Sequence, residues 1–161
     1  MHVEYKNLAA NSKVWIYQSD RAFSNLEVKE ISKKAQAFTE NWTCHSASLK
    51  ASFLIKYKQF LVFAVDESFE PVSGCSIDAS VKFIKQLEAE FNISLTDRMN
   101  IAFKDDMGIN IVKLADFKKL VKDKKITPAT VVFNNMANTK SDFETQWEVI
   151  AENSWHKRFL A

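Results

Sequence analysis

The run Phe60-Leu61-Val62-Phe63-Ala64-Val65-Asp66 decides the reading of this chain. A strand that is apolar at nearly every position has no face to give to water. It belongs in the middle of a sheet with a layer on each side. Just before it, Phe53, Ile55 and Tyr57 alternate along Ser52–Tyr57, the pattern of a strand with one covered face. Lys58-Gln59 leaves room only for a tight turn, although it lacks the Asn-Gly chemistry that two-residue hairpins favour.

Upstream, Val14–Tyr17 reads as a strand, and a helix with a well-specified start follows it. Ser24 and Glu27 make an S-x-x-E capping box, with Phe23 and Val28 placed as a hydrophobic staple. Val28, Ile31, Ala35, Phe38 and Trp42 then recur at helical spacing as one apolar face. Downstream, a loop over Glu67–Cys75 leads to a second helix from about Asp78 to Phe91, with Val81, Ile84, Leu87 and Phe91 as its buried face. Strands follow at Asn100–Lys104 and Ile109–Val112, joined by Asp105-Asp106-Met107-Gly108, where Gly108 suits a positive φ. A basic helix over Leu114–Asp123 buries Leu114, Phe117 and Val121, and a strand at Thr130–Phe133 comes after Pro128. In the tail, Phe143, Thr145, Trp147 and Val149 alternate as a strand would, and Ser154 stands ready to cap a half-turn over Trp155–Phe159.

The order β-α-β-β-α-β-β-α-β places the chain in the α+β class. The first six elements match a ferredoxin-like split βαβ unit: a mainly antiparallel sheet with helices on one face, here carrying a C-terminal extension. A chain of 161 residues with 47% hydrophobic residues suits a single domain over 1–161. Two Gly and two Pro are too few for a long flexible tether to a second domain. The net charge of +2 argues against a dedicated nucleic-acid binder. No signal-like N-terminus is present, and the longest apolar run falls well short of the ~20 residues of a membrane span. A cytoplasmic protein with no membrane insertion is expected, and there Cys44 and Cys75 stay as free thiols.

With Gly74 and Gly108 as its only glycines, the chain cannot write G-x-x-x-x-G-K-[ST], whose backbone amides wrap phosphates. Nor can it write G-x-G-x-x-G or the G-x-S-x-G elbow. Three His and two Cys do not make a closed zinc site. No metal or cofactor is expected.

Chemistry is best sought in Ser73-Gly74-Cys75-Ser76-Ile77-Asp78, between the buried strand and the second helix. The positive end of a helix dipole stabilises a thiolate, so Cys75 is the candidate nucleophile. His45 is the base in that scheme, and Asp66 or Asp78 orients it. The competing reading has Cys75 packed as a small hydrophobe and Ser76 or Asp78 as a cap. Cys44-His45 offers a metal pair but no third ligand. A ligand pocket is expected from Ser73, Gly74 and Ser76 together with Asn134, Asn135 and Trp155, since amides give direction and aromatics give area. Alternatively the tail clamps the core, with Trp147, Trp155 and Phe159 as plugs. Lys113, Lys118, Lys119, Lys122, Lys124 and Lys125 are the basic cluster that could meet phosphate, though no RNA-binding aromatic motif accompanies them.

Several segments together resemble a family of short proteins from the Bacteroidetes group. They are Val14–Ser19, Asn41-Trp42-Thr43, Ala64–Ser68, Ser73–Asp78, Asp97–Asn100, Phe133-Asn134-Asn135 and Ser154-Trp155-His156. The resemblance runs across nearly the whole chain. Members often carry the automatic label "ABC transporter ATPase", and the resemblance implies no established activity, substrate or catalytic residue. The ATPase label fails on chemistry, because it requires a phosphate loop and a glycine-rich signature that two glycines cannot supply. The expectation is a binding or interaction module for a small molecule or a protein. The alternative is a thiol-dependent enzyme using Cys75 with His45.

Overall fold

The computed structural model describes residues 1–160. Where the sequence suggests one domain over 1–161, the contacts group into two compact units. The first comprises Met1–Thr96 with Asn138–Ser141, and the second Asp97–Ala137 with the residues from Asp142 on. The class is α+β with antiparallel sheets.

The first unit contains β1 (Lys13–Gln18), α1 (Asn25–Asn41), the short hairpin β2 (Thr43–Cys44) and β3 (Ala47–Ser48), β4 (Lys50–Lys56), β5 (Phe60–Asp66) and α2 (Gly74–Phe91). Its sheet has the order β1-β5-β4, with β5 antiparallel to both neighbours. Every residue of β5 is buried, as its composition requires. Leu61, Phe63 and Val65 enter a core built with Ile31 and Ala35 of α1 and Ile84 and Leu87 of α2. Phe60, Val62 and Ala64 alternate onto the opposite face and are buried as completely.

This sheet corrects the ferredoxin-like expectation. The first three strands take the order that such a unit needs, but the next strand does not complete the sheet beside β1. That strand pairs instead with the hairpin partner two residues beyond its end, the contact with the smallest loop-closure cost. The open edge of β1 receives a distant segment: Lys13 bridges Thr139, and Val14 N–H donates to Asn138 O at 3.0 Å. The outer edge of β4 meets residues 1–3 at Ala51, through the His2–Ala51 bridge and Val3 N–H to Ala51 O at 2.8 Å.

The β4–β5 turn sits one residue earlier than Lys58-Gln59. Tyr57 and Lys58 take left-handed φ values of 55° and 52°, an uncommon conformation for non-glycine residues. Neighbouring groups hold them there. Phe23 N–H donates to Lys58 O at 2.7 Å, the Gln59 carboxamide donates to Ser19 O at 2.6 Å, and Ser19 N–H returns to Gln59 O at 2.8 Å.

Helix α1 begins as its sequence prescribes. Both halves of the Ser24–Glu27 capping box form, and Phe23 and Val28 join the core. Arg21 forks onto the Glu27 carboxylate with two 2.8 Å bonds and holds it down to about 2. Helix α2 starts four residues before the expected Asp78. Ser73 is its cap, and Ser76, Ser80, Ile84 and Leu87 form its buried side. Two serines on that side hide it from a hydrophobic pattern. Val81, expected inside, is 39% exposed.

The second unit holds β6 (Asn100–Asp105), β7 (Gly108–Lys113), α3 (Leu114–Lys122), β8 (Val131–Phe133) and β9 (Glu148–Ile150), in the sheet order β7-β6-β8-β9. Ile101, Phe103, Phe117, Ile126, Val132 and Ala151 form its core. Gly108 takes φ +116°, the positive value expected at that turn. Helix α4 (Lys140–Gln146) begins in the last residues of the first unit and occupies sequence read above as strand. Phe143 and Trp147 satisfy both periods, since they are four apart, and the rings close to 4.6 Å.

Ile31→Ala should cost roughly 2–5 kcal/mol of unfolding free energy, because Ile31 has no exposed surface and its neighbours cannot close the gap. Urea denaturation measures this, and a loss under ~0.5 kcal/mol would contradict the packing of α1.

Candidate functional site

The Ser73–Asp78 segment is a helix start. Ser73 Oγ accepts from Ser76 N–H at 3.2 Å, and the Ser76 hydroxyl donates to Thr43 O at 2.8 Å. The Trp42 indole N–H donates to Ser76 O at 2.9 Å. Ser76 thus ties α2 to the start of the β2–β3 hairpin, and both serines are committed to structure. Gly74 sits at the first helical position, and a methyl group added there would meet nothing within 4 Å.

Cys75 is exposed and Cys44 is buried. His45 lies on the exposed β2–β3 turn with φ 49°. Among the described residues, neither the Cys75 thiol nor the His45 ring makes a hydrogen bond. Asp66 is buried at the end of β5, where it accepts from the Ser68 hydroxyl at 2.6 Å and the Ser68 N–H at 3.0 Å and pairs with Lys50 at 3.5 Å. These contacts, the Ser68 hydroxyl foremost, hold its carboxyl below the usual range. Asp78 is exposed. Among the described residues, no group of three His, Cys, Asp or Glu stands close enough to hold a metal ion.

The other candidates also have local partners. Asn135 Oδ1 accepts from the Trp147 indole N–H at 2.9 Å. Asn134 Oδ1 accepts from Met136 N–H at 3.1 Å. Trp155 stacks on His156 with ring centres 3.8 Å apart. Of the tail aromatics, Trp147 is buried, while Trp155 and Phe159 are partly covered against the second core. In the basic cluster, Lys113 pairs with Asp97 at 2.7 Å, and Lys118 lies 5.2 Å over the Phe159 ring. An open groove of about 310 Å³ is lined by Val121, Lys124, Ile126, Thr127, Pro128 and Leu160. Of the residues singled out in the sequence, only Val121 and Lys124 line it.

The sequence did not predict the burial of two polar side chains in the tail. Lys140 is buried, donates to Leu8 O at 2.8 Å and Lys6 O at 3.3 Å, and lies 5.0 Å over the Tyr5 ring. Nothing in its spacing marks it as different from the exposed lysines. His156 is buried against Phe117, with Nδ1 2.7 Å from Ser154 Oγ. Burial pushes its pKa down to about 4, helped by the nearby Arg158 charge. The aromatic neighbours in Ser154-Trp155-His156 were the available signal.

Beside the exposed Cys75 and Asp78, three apolar side chains near this segment also face outward. Phe69 in the loop before α2 is 67% exposed, and Ile77 and Val81 are 42% and 39% exposed. Ile77 and Val81 are one helical turn apart on the same side of α2. Among the described residues, no helix is long and apolar enough to cross a membrane. Comparison with protein-family models, with curated proteins and with solved structures returns no match.

Two outcomes follow from this geometry. N-ethylmaleimide added to native protein should modify Cys75 and spare Cys44, as read by mass spectrometry. Equal labelling would mean the hairpin does not enclose Cys44. For His156, the folded state stays neutral down to about pH 4, while the unfolded chain takes up its proton near 6.5. The unfolded state then binds more protons between those values, so stability falls as pH drops through that window, by on the order of 3 kcal/mol in full. His156→Gln should remove this part of the slope in denaturation series. An unchanged slope would contradict the buried, neutral imidazole.

Proposed function

We propose that this chain is a small cytoplasmic protein-binding module that holds a partner and lacks nucleotide-hydrolysis machinery. We place it, on the residues quoted above, in the Bacteroidetes family that it resembles. The observation that supports binding is an exposed apolar pair on α2. Ile77 and Val81 are 42% and 39% exposed one turn apart, on the flank of the buried stripe of Ser76, Ser80, Ile84 and Leu87. Apolar groups of this size at a helix start are suited to meeting another protein surface. The two-glycine composition supports the second half of the proposal, since no phosphate loop can be written with it.

Thiol chemistry at Cys75 is the second reading. It is favoured by the exposure of that sulfur at the α2 N-terminus. In this reading His45 is the base.

A benzophenone amino acid placed at Ile77 tests the module directly. It should crosslink to a distinct protein in living cells, and the same group at Gln86, exposed on the other side of α2, should not. Absence of capture at Ile77, or equal capture at both positions, would contradict the proposal.

A further inference from the structure

In the second unit, β7 has one neighbour only. It lies at the end of the order β7-β6-β8-β9. Its register with β6 runs without interruption from Asn100–Lys113 to Asp105–Gly108, across a turn of two residues. In such a hairpin the residues flanking the turn exchange both backbone bonds, and alternate pairs inward do the same. Gly108, Asn110 and Val112 therefore direct their N–H and C=O groups toward β6. Leu114 continues the series by donating to Met99 O at 2.8 Å. The N–H and C=O groups of Ile109 and Ile111 face away from β6 and meet no backbone partner there, while Lys113 caps α3.

Elsewhere, residues 1–3 bond to β4 at Ala51, Asn138 and Thr139 reach β1 at Val14 and Lys13, and β9 has three residues. Natural edge strands are commonly blunted by proline, a bulge or a charge in mid-strand. Gly108-Ile109-Asn110-Ile111-Val112-Lys113 has none of these before its last residue. Ile109 and Ile111 are only half-buried, and Met107 at the turn is 93% exposed.

We propose that this edge binds a second copy of the same chain by antiparallel β7–β7 pairing about a twofold axis at Asn110. The charge distribution selects this partner and this direction. Asp105 and Asp106 lie at the turn end of β7, and Lys113 lies at the other. Antiparallel self-pairing sets the acidic end of each copy beside the basic end of the other, whereas parallel pairing sets like charges together. In this register Ile109 of one copy faces Ile111 of the other. The outward backbone groups of both strands then find partners, and two four-stranded sheets join into one of eight. The proposal uses no residue of α2, so it and the proposed function do not depend on each other.

Sedimentation equilibrium of the whole chain over a range of concentrations should show a monomer–dimer equilibrium. Ile111→Pro removes an outward N–H and leaves the β6 ladder in place, and proline is tolerated at such edge positions. It should give a monomer with unchanged far-ultraviolet circular dichroism. Ile109→Lys, which places a charge in mid-strand, should also give a monomer. In a Cys75→Ser background, Asn110→Cys should form a disulfide-linked dimer under mild oxidation, since opposed residues of a non-hydrogen-bonded pair approach closely enough. Met136→Cys, exposed elsewhere in the second unit, should not. A wild-type chain that stays monomeric throughout would overturn the proposal. So would a dimer that survives both edge variants while Asn110→Cys remains uncrosslinked. In either case, benzophenone capture at Ile77 is read independently.

Discussion

The first unit depends on a strand that never reaches water. Seven consecutive buried residues, Phe60–Asp66, carry backbone N–H and C=O groups that must all find partners inside the protein. One neighbouring strand can satisfy only alternate residues, so β5 needs both β1 and β4. Its side chains alternate to two faces, and burying both requires a layer on each. On one face that layer is α1 and α2, whose apolar sides meet Leu61, Phe63 and Val65. The same constraint explains the strained β4–β5 turn. Left-handed Tyr57 and Lys58 bring Gln59 to Ser19, and hydrogen bonds formed inside the protein offset a backbone conformation that costs about 1–2 kcal/mol per residue.

Elements that carry their own signal were legible. Helix α1 has a capping box, a staple and an uninterrupted helical period, and all three appear in the structure. Strand β5 matches its expected residues end for end, and Gly108 takes the positive φ its turn requires. Legibility failed where local patterns were ambiguous or pairing was distant. The buried side of α2 begins with Ser76 and Ser80, so the hydrophobic period starts late and the helix start was placed too far along. Phe143 and Trp147 fit a strand and a helix equally. Which segment completes a sheet edge is decided by chain-distant contacts such as Lys13–Thr139, and no local spacing encodes them.

The candidate site shows the same division. The sequence pointed to Ser73–Asp78 because a polar loop between a buried strand and a helix is where exposed groups collect. It did not reveal what those groups are used for. Ser73 and Ser76 close a helix end, Asp66 closes an Asx turn, and Asn135 holds the Trp147 indole. Side chains that look chemically able are here the means by which backbone and indole donors are satisfied. Lys140 and His156 are buried by tertiary packing that leaves no trace in spacing. Ile77 and Val81 stay partly exposed on the flank of the buried stripe of α2.

The central physical claim is that β5 is locked on both edges and both faces. Native-state hydrogen exchange at the amides of Val62, Phe63 and Ala64 tests it most directly. If β5 is the buried centre of its unit, these amides exchange only through global opening. Their rates then depend on denaturant with the full equilibrium m-value. Exchange that is fast and insensitive to denaturant would show that the strand frays locally, and the account of the first unit built on it would fail.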